Sequence, residues 1–264
     1  LDSGLYEEIV DAGDIIIESA QGCTPTIRRP MTELALVDPP GYTTGSFYGQ
    51  PLYKDGYHYF VAKRTSDGLC GLLRMNDETG DVDTTFFHGI TPVISEVNVS
   101  YFGDNKIAVS FSRDTKIRLF DISTGEHVGT IDQPSGDGCG PGVYVDGKYY
   151  MAFSWTIPYF YDIGTSTWQA IDLSELIEAN GGRSIFIAGR EDEIDSSIVL
   201  YKESSKSVYF MAREDSTKNC IVVKYNTETQ ALSFIRLSGV FKSAVKMGET
   251  IFVSLKGGDV FEIF

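Results

Sequence analysis

The sequence predicts an all-β propeller, a ring of six blades with four antiparallel strands each, or five blades with a wrapping N-terminal segment. Three observations carry this. A tight hairpin turn recurs along the 264 residues at intervals of about 43, 49, 42, 58 and 43, the period of one propeller blade. A second turn of different chemistry follows in four of the same units. The composition, with 15 Tyr and 16 Phe among many Val, Ile and Thr, favours pleated, half-buried strands over helices.

The first hairpin is Ile9–Ile17 around Gly13, and the second is Leu52–Val61 around Asp55-Gly56. Tyr101–Val109 turns at Asp104-Asn105, and Val143–Met151 turns at Asp146-Gly147. The last two are Leu200–Phe210 and Ala244–Val253. Asp-Gly and Asp-Asn supply the positive φ that two-residue hairpin loops demand. The second turn reads Asn76–Gly80, Asp121–Gly125, Asp162–Ser166 and Asn226–Gln230, with Arg28–Met31 in the equivalent place of the first unit. Each unit is therefore strand A, hairpin, strand B, loop, strand C, turn, strand D. In the third unit these are Val97–Phe102, Lys106–Phe111, Lys116–Asp121 and Glu126–Ile131. The units run over 5–38, 47–88, 97–132, 142–173, 197–238 and 241–264 of one domain, 1–264. A fixed period without intervening helices favours a propeller over a sandwich.

The third unit carries a family resemblance. Gly103–Ile131, and within it Asp114-Thr-Lys-Ile-Arg-Leu-Phe-Asp121, resembles a WD-repeat blade, with Phe120 where that family usually places Trp. The Gly-His pair of the family is absent. The resemblance covers one blade closely and the others by spacing, and it implies the wider propeller class.

Two irregularities stand out. The sixth unit stops at Phe264 with no strand D, and an unpaired edge is costly. Leu1–Tyr6 would complete it, or the chain is part of something longer, as the Leu1 start also suggests. Between the fourth and fifth units lies an insertion, 173–195, that opens with a short helix. Asp172 and Glu175 form a capping box, and Asn180-Gly181 forms a stop. This connection is expected beside the mouth of the channel.

Charge and motifs narrow the chemistry. A net charge of −15 repels phosphate backbones, so no nucleic-acid partner is expected. No apolar run reaches the length of a membrane span. Cys23, Cys70, Cys139 and Cys220 form no C-x-x-C pair. They fall on opposite blades of a six-blade ring, so free buried thiols are expected, as in a cytoplasmic protein or a virion assembled there. His58 and His127 read as strand residues, while His88 lies in a loop on the channel face. No Walker loop, nucleophile elbow or dinucleotide fingerprint is present. Asn98-Val-Ser100 is a glycosylation sequon inside an inner strand, where it would go unused.

These readings point to a non-enzymatic interaction or scaffold module with protein partners, such as a component of a phage tail. Its contact face would combine the insertion, including Arg183 and Arg190, with Phe47, Tyr48, His88 and the loop at Asp137. Aromatic and Arg residues are the types that anchor interfaces. No cofactor is expected, calcium being the ion that Asp132 and Asp137 would hold. Two rival readings are a calcium-dependent hydrolase or lactonase in the channel and a propeller that binds glycans.

Overall fold

Alternating apolar residues on both faces of short strands require sheets packed face to face. The computed structural model describes residues 39–43, 51–90, 97–111, 114–134, 140–153, 157–187 and 198–263. Among them, five antiparallel sheets stand around a ring, a five-bladed propeller. Blade one contains β1 (Tyr42–Thr43), β2 (Leu52–Lys54), β3 (Tyr57–Arg64), β4 (Cys70–Asn76), β5 (Val82–Asp83) and β6 (Gly89–Ile90). Blade two is β7 (Val97–Gly103), β8 (Lys106–Phe111), β9 (Lys116–Asp121) and β10 (His127–Asp132). Blade three is β11 (Val143–Val145), β12 (Lys148–Met151), β13 (Tyr159–Asp162) and β14 (Thr167–Ala170). A six-residue helix, α1 (Ser174–Ala179), leads to blade four. Its strands are β15 (Ile185–Ile187), β16 (Val199–Lys202), β17 (Ser207–Glu214), β18 (Cys220–Asn226) and β19 (Leu232–Leu237). Blade five has three strands, β20 (Phe241–Met247), β21 (Thr250–Leu255) and β22 (Val260–Ile263).

These blades are the second to sixth of the units read from the sequence. The first unit, 5–38, and the strand expected from Leu1–Tyr6 lie outside the described residues, and the blade count among the described residues is five, the alternative that the sequence offered, rather than six. In blade two the expected strand bounds agree with β7–β10 to within one residue.

The repeat is built from turn chemistry. At Asp55-Gly56, Asp104-Asn105 and Asp146-Gly147 both central residues have positive φ, from 46° to 81°, as type I′ turns require. In the second turn the side chain of the first residue accepts from the backbone N–H groups that follow. Asn76 Oδ1 accepts from Glu78 and Thr79 at 2.9 and 3.0 Å, and Asp121 Oδ1 from Ser123 and Thr124 at 2.8 and 2.9 Å. Asn226 does the same with Glu228 and Thr229, and Asp162 with Thr165. Such Asx turns are local and strong. The two turns are then tied together in each of four blades. The backbone N–H groups of Asp77, Ile122, Ile163 and Thr227 donate to the carbonyls of Gly56, Asn105, Gly147 and Lys206 at 2.8–3.0 Å. Both turn types therefore lie at one end of the blades, and the B–C loops and D–A connections lie at the other.

The core lies in the seams between blades. In β17 Val208, Phe210 and Ala212 face blade three, while Tyr209 and Met211 face blade five, and every residue of the strand is buried. Period-two alternation with both faces buried is what a blade needs. Phe111, Ile107 and Leu72 join blades one and two, and Phe102, Ile117 and Tyr149 join two and three. Each fully buried side chain of this size contributes roughly 1.5–3 kcal/mol. A fifth cluster, Phe60, Ala62, Leu73 and Phe87, covers the face of blade one turned away from blade two.

Two details depart from expectation. The inner strands of blades one and four are split, with β1 and β2 sharing β3, and β15 and β16 sharing β17. The helix also lies elsewhere than the channel mouth. Leu173, Leu176 and Ile177 pack with Leu232 and Phe234 of β19, the outermost strand of blade four. Blades that radiate from one axis diverge outward, and the helix packs at the outer strands of the seam between blades three and four. The capping box does not form either. Leu173 is the N-cap, and Asp172 Oδ1 accepts instead from the N–H and hydroxyl of Ser174. Asn180 is the C-cap, followed by Gly181 and Gly182 at positive φ.

Candidate interaction face

The end of the ring that carries the B–C loops and D–A connections holds the described candidate residues. At blade four a polar cluster is built around Glu214, the last residue of β17, which is fully buried. β15 pairs Ile185 with Glu214, and this brings the residues just before β15 over the carboxylate. Arg183 Nη1 donates to Glu214 Oε1 at 3.1 Å. Arg236 of β19 approaches the same oxygen at 3.6 Å and donates through Nη2 to Asn180 Oδ1. Asn180, itself buried, donates from Nδ2 to the Arg183 carbonyl at 3.2 Å and to Glu214 Oε1 at 3.4 Å. The Thr217 hydroxyl, in the B–C loop, donates to Glu214 Oε2. The hydrogen bond from Thr217 holds the carboxyl below its ordinary pKa, with Arg183 and Arg236 acting in the same direction. Glu214 is thus an anion at neutral pH, shared by two guanidinium groups that remain 49% and 36% exposed.

Of the residues read from the sequence, Arg183 belongs to this cluster. His88 is half-buried in blade one, just before β6, on the same end of the ring but two blades away. Phe47, Tyr48, Asp137 and Arg190 lie outside the described residues. Asp132 ends β10 with its carboxylate paired to Lys116 Nζ at 2.8 Å, and its carbonyl accepts from Trp168 Nε1 at 2.7 Å across the seam. Among the described residues no three His, Cys, Asp or Glu side chains lie together as a metal site. His58 pairs with Asp77 at 2.7 Å, and His127 meets Thr130 Oγ1 at 3.1 Å on an exposed outer strand. Asn98 of the sequon is 2% exposed within β7. Cys70 and Cys220 are buried free thiols, and burial pushes Cys220 up to about 12. Cys23 and Cys139 lie outside the described residues.

Glu214, Arg236 and Thr217 do not stand out in the sequence, and Asn180 does so only as a helix stop. The one signal there is Arg213-Glu214-Asp215, a charged run closing a strand whose other residues are mostly apolar. Its meaning depends on Asn180 and Arg236, 34 residues before and 22 after, which only the fold brings near.

No family model matches the chain, and no curated protein matches it. Solved structures do. A Quinonprotein alcohol dehydrogenase-like protein from Bacteroides thetaiotaomicron is 10% identical, with a TM-score of 0.56 over 81% of this chain and 50% of the other. The β-propeller domain of Cps50 (Swd1) from Myceliophteria thermophila is 11% identical, with a TM-score of 0.52 over 81% and 64%. The WD40 β-propeller domain of Doa1 is 14% identical, with a TM-score of 0.50 over 80% and 61%. The chain therefore spans about half to two thirds of the length of these structures. Identity this low speaks for the fold alone, and the fold shown is a WD-repeat-like β-propeller.

Proposed function

We propose that this chain is a non-enzymatic protein-interaction module, a rigid scaffold within a larger assembly. The observation that carries the reading is the pair of exposed arginines, Arg183 and Arg236, fixed by the buried Glu214. Holding an arginine in place before a partner arrives removes part of the entropy cost of docking, and Arg is among the residues that dominate interface energetics. The pair sits on the end of the ring where connections of variable length project. The opposite end is locked by the repeated turn-to-turn hydrogen bonds.

The test is quantitative capture from a lysate of the source organism, with the wild-type chain, Arg183→Ala, Arg236→Ala and Glu78→Ala compared by mass spectrometry. Glu78 is exposed on the opposite, turn-bearing end. Partners should be lost with either arginine variant and kept with Glu78→Ala. Identical partner sets for all four proteins would reject the assignment of this face.

A further inference from the structure

We infer that the Arg183–Arg236 pair recognises an acidic peptide segment, a short stretch bearing one or two carboxylates among uncharged residues. The inference deepens the interaction reading above and rests on it.

Donor and charge accounting supports it. Each guanidinium carries five N–H donors in a planar fork. Arg183 gives one to Glu214 through Nη1, and Arg236 gives one to Asn180 through Nη2. Among the described residues neither has another hydrogen-bond partner, and the two side chains are 49% and 36% exposed. Both oxygens of the buried anion are engaged. Glu214 Oε1 is engaged by Arg183, Asn180 and Arg236, and Oε2 by Thr217. Among the described residues two cations thus share one enclosed carboxylate, on side chains that reach solvent. A second carboxylate arriving from solvent completes the set, and Arg–carboxylate pairs of this kind are commonly bidentate.

The rest of the molecule limits what that carboxylate can belong to. With a net charge of −15 the chain repels polyanions at long range. A run of many acidic residues would meet this repulsion along its whole length, whereas one or two carboxylates gain the local pair and little else. The fixed geometry also separates this site from an ordinary basic patch. The arginines are aimed by a buried acid and a buried amide, Glu214 and Asn180, rather than by solvent.

The experiment uses the full chain on an array of otherwise neutral peptides carrying a central Glu, Glu-Glu, Gln, Lys or phosphoserine, with affinities of the hits measured by fluorescence anisotropy. The Glu and Glu-Glu peptides should be retained and their Gln counterparts lost. Arg183→Ala and Arg236→Ala should each weaken binding about tenfold or more, as expected when a hydrogen bond to a charged group is lost. Arg236→Lys should not rescue, because an ammonium lacks the planar fork. Melting curves of the variants establish that each is folded. Preference for phosphoserine over Glu would overturn the carboxylate assignment in favour of phosphate. Equal retention of Gln and Glu peptides, or none of either, would overturn the inference outright. Binding of neutral or basic peptides that still depends on Arg183 would leave the interaction reading standing while this inference falls. Partner capture insensitive to both arginines would remove the reading itself.

Discussion

Blade three contains two glycines that should fail for different reasons, and the contrast tests the packing argument. Gly142 precedes β11, where a Cβ would lie 2.2 Å from Cζ and 2.5 Å from the hydroxyl of Tyr149. Tyr149 is fully buried in the seam with blade two and cannot swing aside. Its hydroxyl is 2.6 Å from Ser100 Oγ, which accepts from the Gly142 N–H at 3.2 Å. Gly142→Ala therefore displaces a core ring and breaks both hydrogen bonds. Overpacking costs about 1–3 kcal/mol and each of the two hydrogen bonds about 1, so a loss of about 3–5 kcal/mol is expected. That corresponds to a fall of about 6–20 °C in Tm for a chain of this size. Gly147 sits in the hairpin of the same blade at φ 78°, and a methyl group there would meet nothing within 4 Å. Here only conformation is at stake: Gly147→Ala should cost about 1 kcal/mol, and Gly147→Asn less. Urea unfolding of the three variants decides the matter. Removing the ring in Gly142→Ala/Tyr149→Val should make the double loss smaller than the sum of the singles. A Gly142→Ala protein within about 0.5 kcal/mol of wild type, the scatter of ordinary surface substitutions, or one no worse than Gly147→Ala, would refute the reasoning.

Other consequences follow from the same contacts. Glu214 has a folded pKa below its unfolded value, so its contribution is complete above the ordinary glutamate range, near 4.5, and is lost as pH falls through the lower folded value. Glu249, held at about 2 by hydrogen bonds from Ser204 with Lys246 nearby, acts in the same sense. Acid titration of stability should therefore show a steeper limb below pH 4.5 in wild type than in Glu214→Gln or Glu249→Gln; equal limbs would contradict the assignment. Cys70 and Cys220 should resist alkylation in the folded protein and react fully in urea, as read by peptide mapping, because both thiols are buried away from the reagent and burial also raises the pKa of Cys220. Rapid native labelling of either would show that its seam opens. Thr124→Ala and Asp121→Ala should each weaken blade two, the aspartate more, because Asp121 Oδ1 caps two backbone N–H groups while the threonine hydroxyl accepts from Glu126 alone. Urea midpoints in the reverse order would contradict this account of the turn.

The sequence makes legible what the chain decides locally. An Asx turn closes within five residues, and Asp-Gly fixes two positive φ values without help. The hairpins, the second turns and the strands of blade two can therefore be read from the residues alone. The split inner strands cannot, because β1 and β15 are two and three residues long and exist only by pairing with β3 and β17. The helix shows the same division. Local signals mark its ends, but its place on β19 follows from packing at an outer seam that no local pattern encodes. The Glu214 cluster is the extreme case, with contributions from α1's cap, the B–C loop and the outermost strand of blade four. Repetition explains why this matters for function. Positions that recur from blade to blade serve the ring, as the turn-to-turn hydrogen bonds of four blades do, and so carry little that is specific. A feature made once, at one blade, by residues far apart in sequence owes nothing to the repeat. In this molecule the buried carboxylate with two outward-facing arginines is such a feature, and specificity for a partner can only reside where the blades differ.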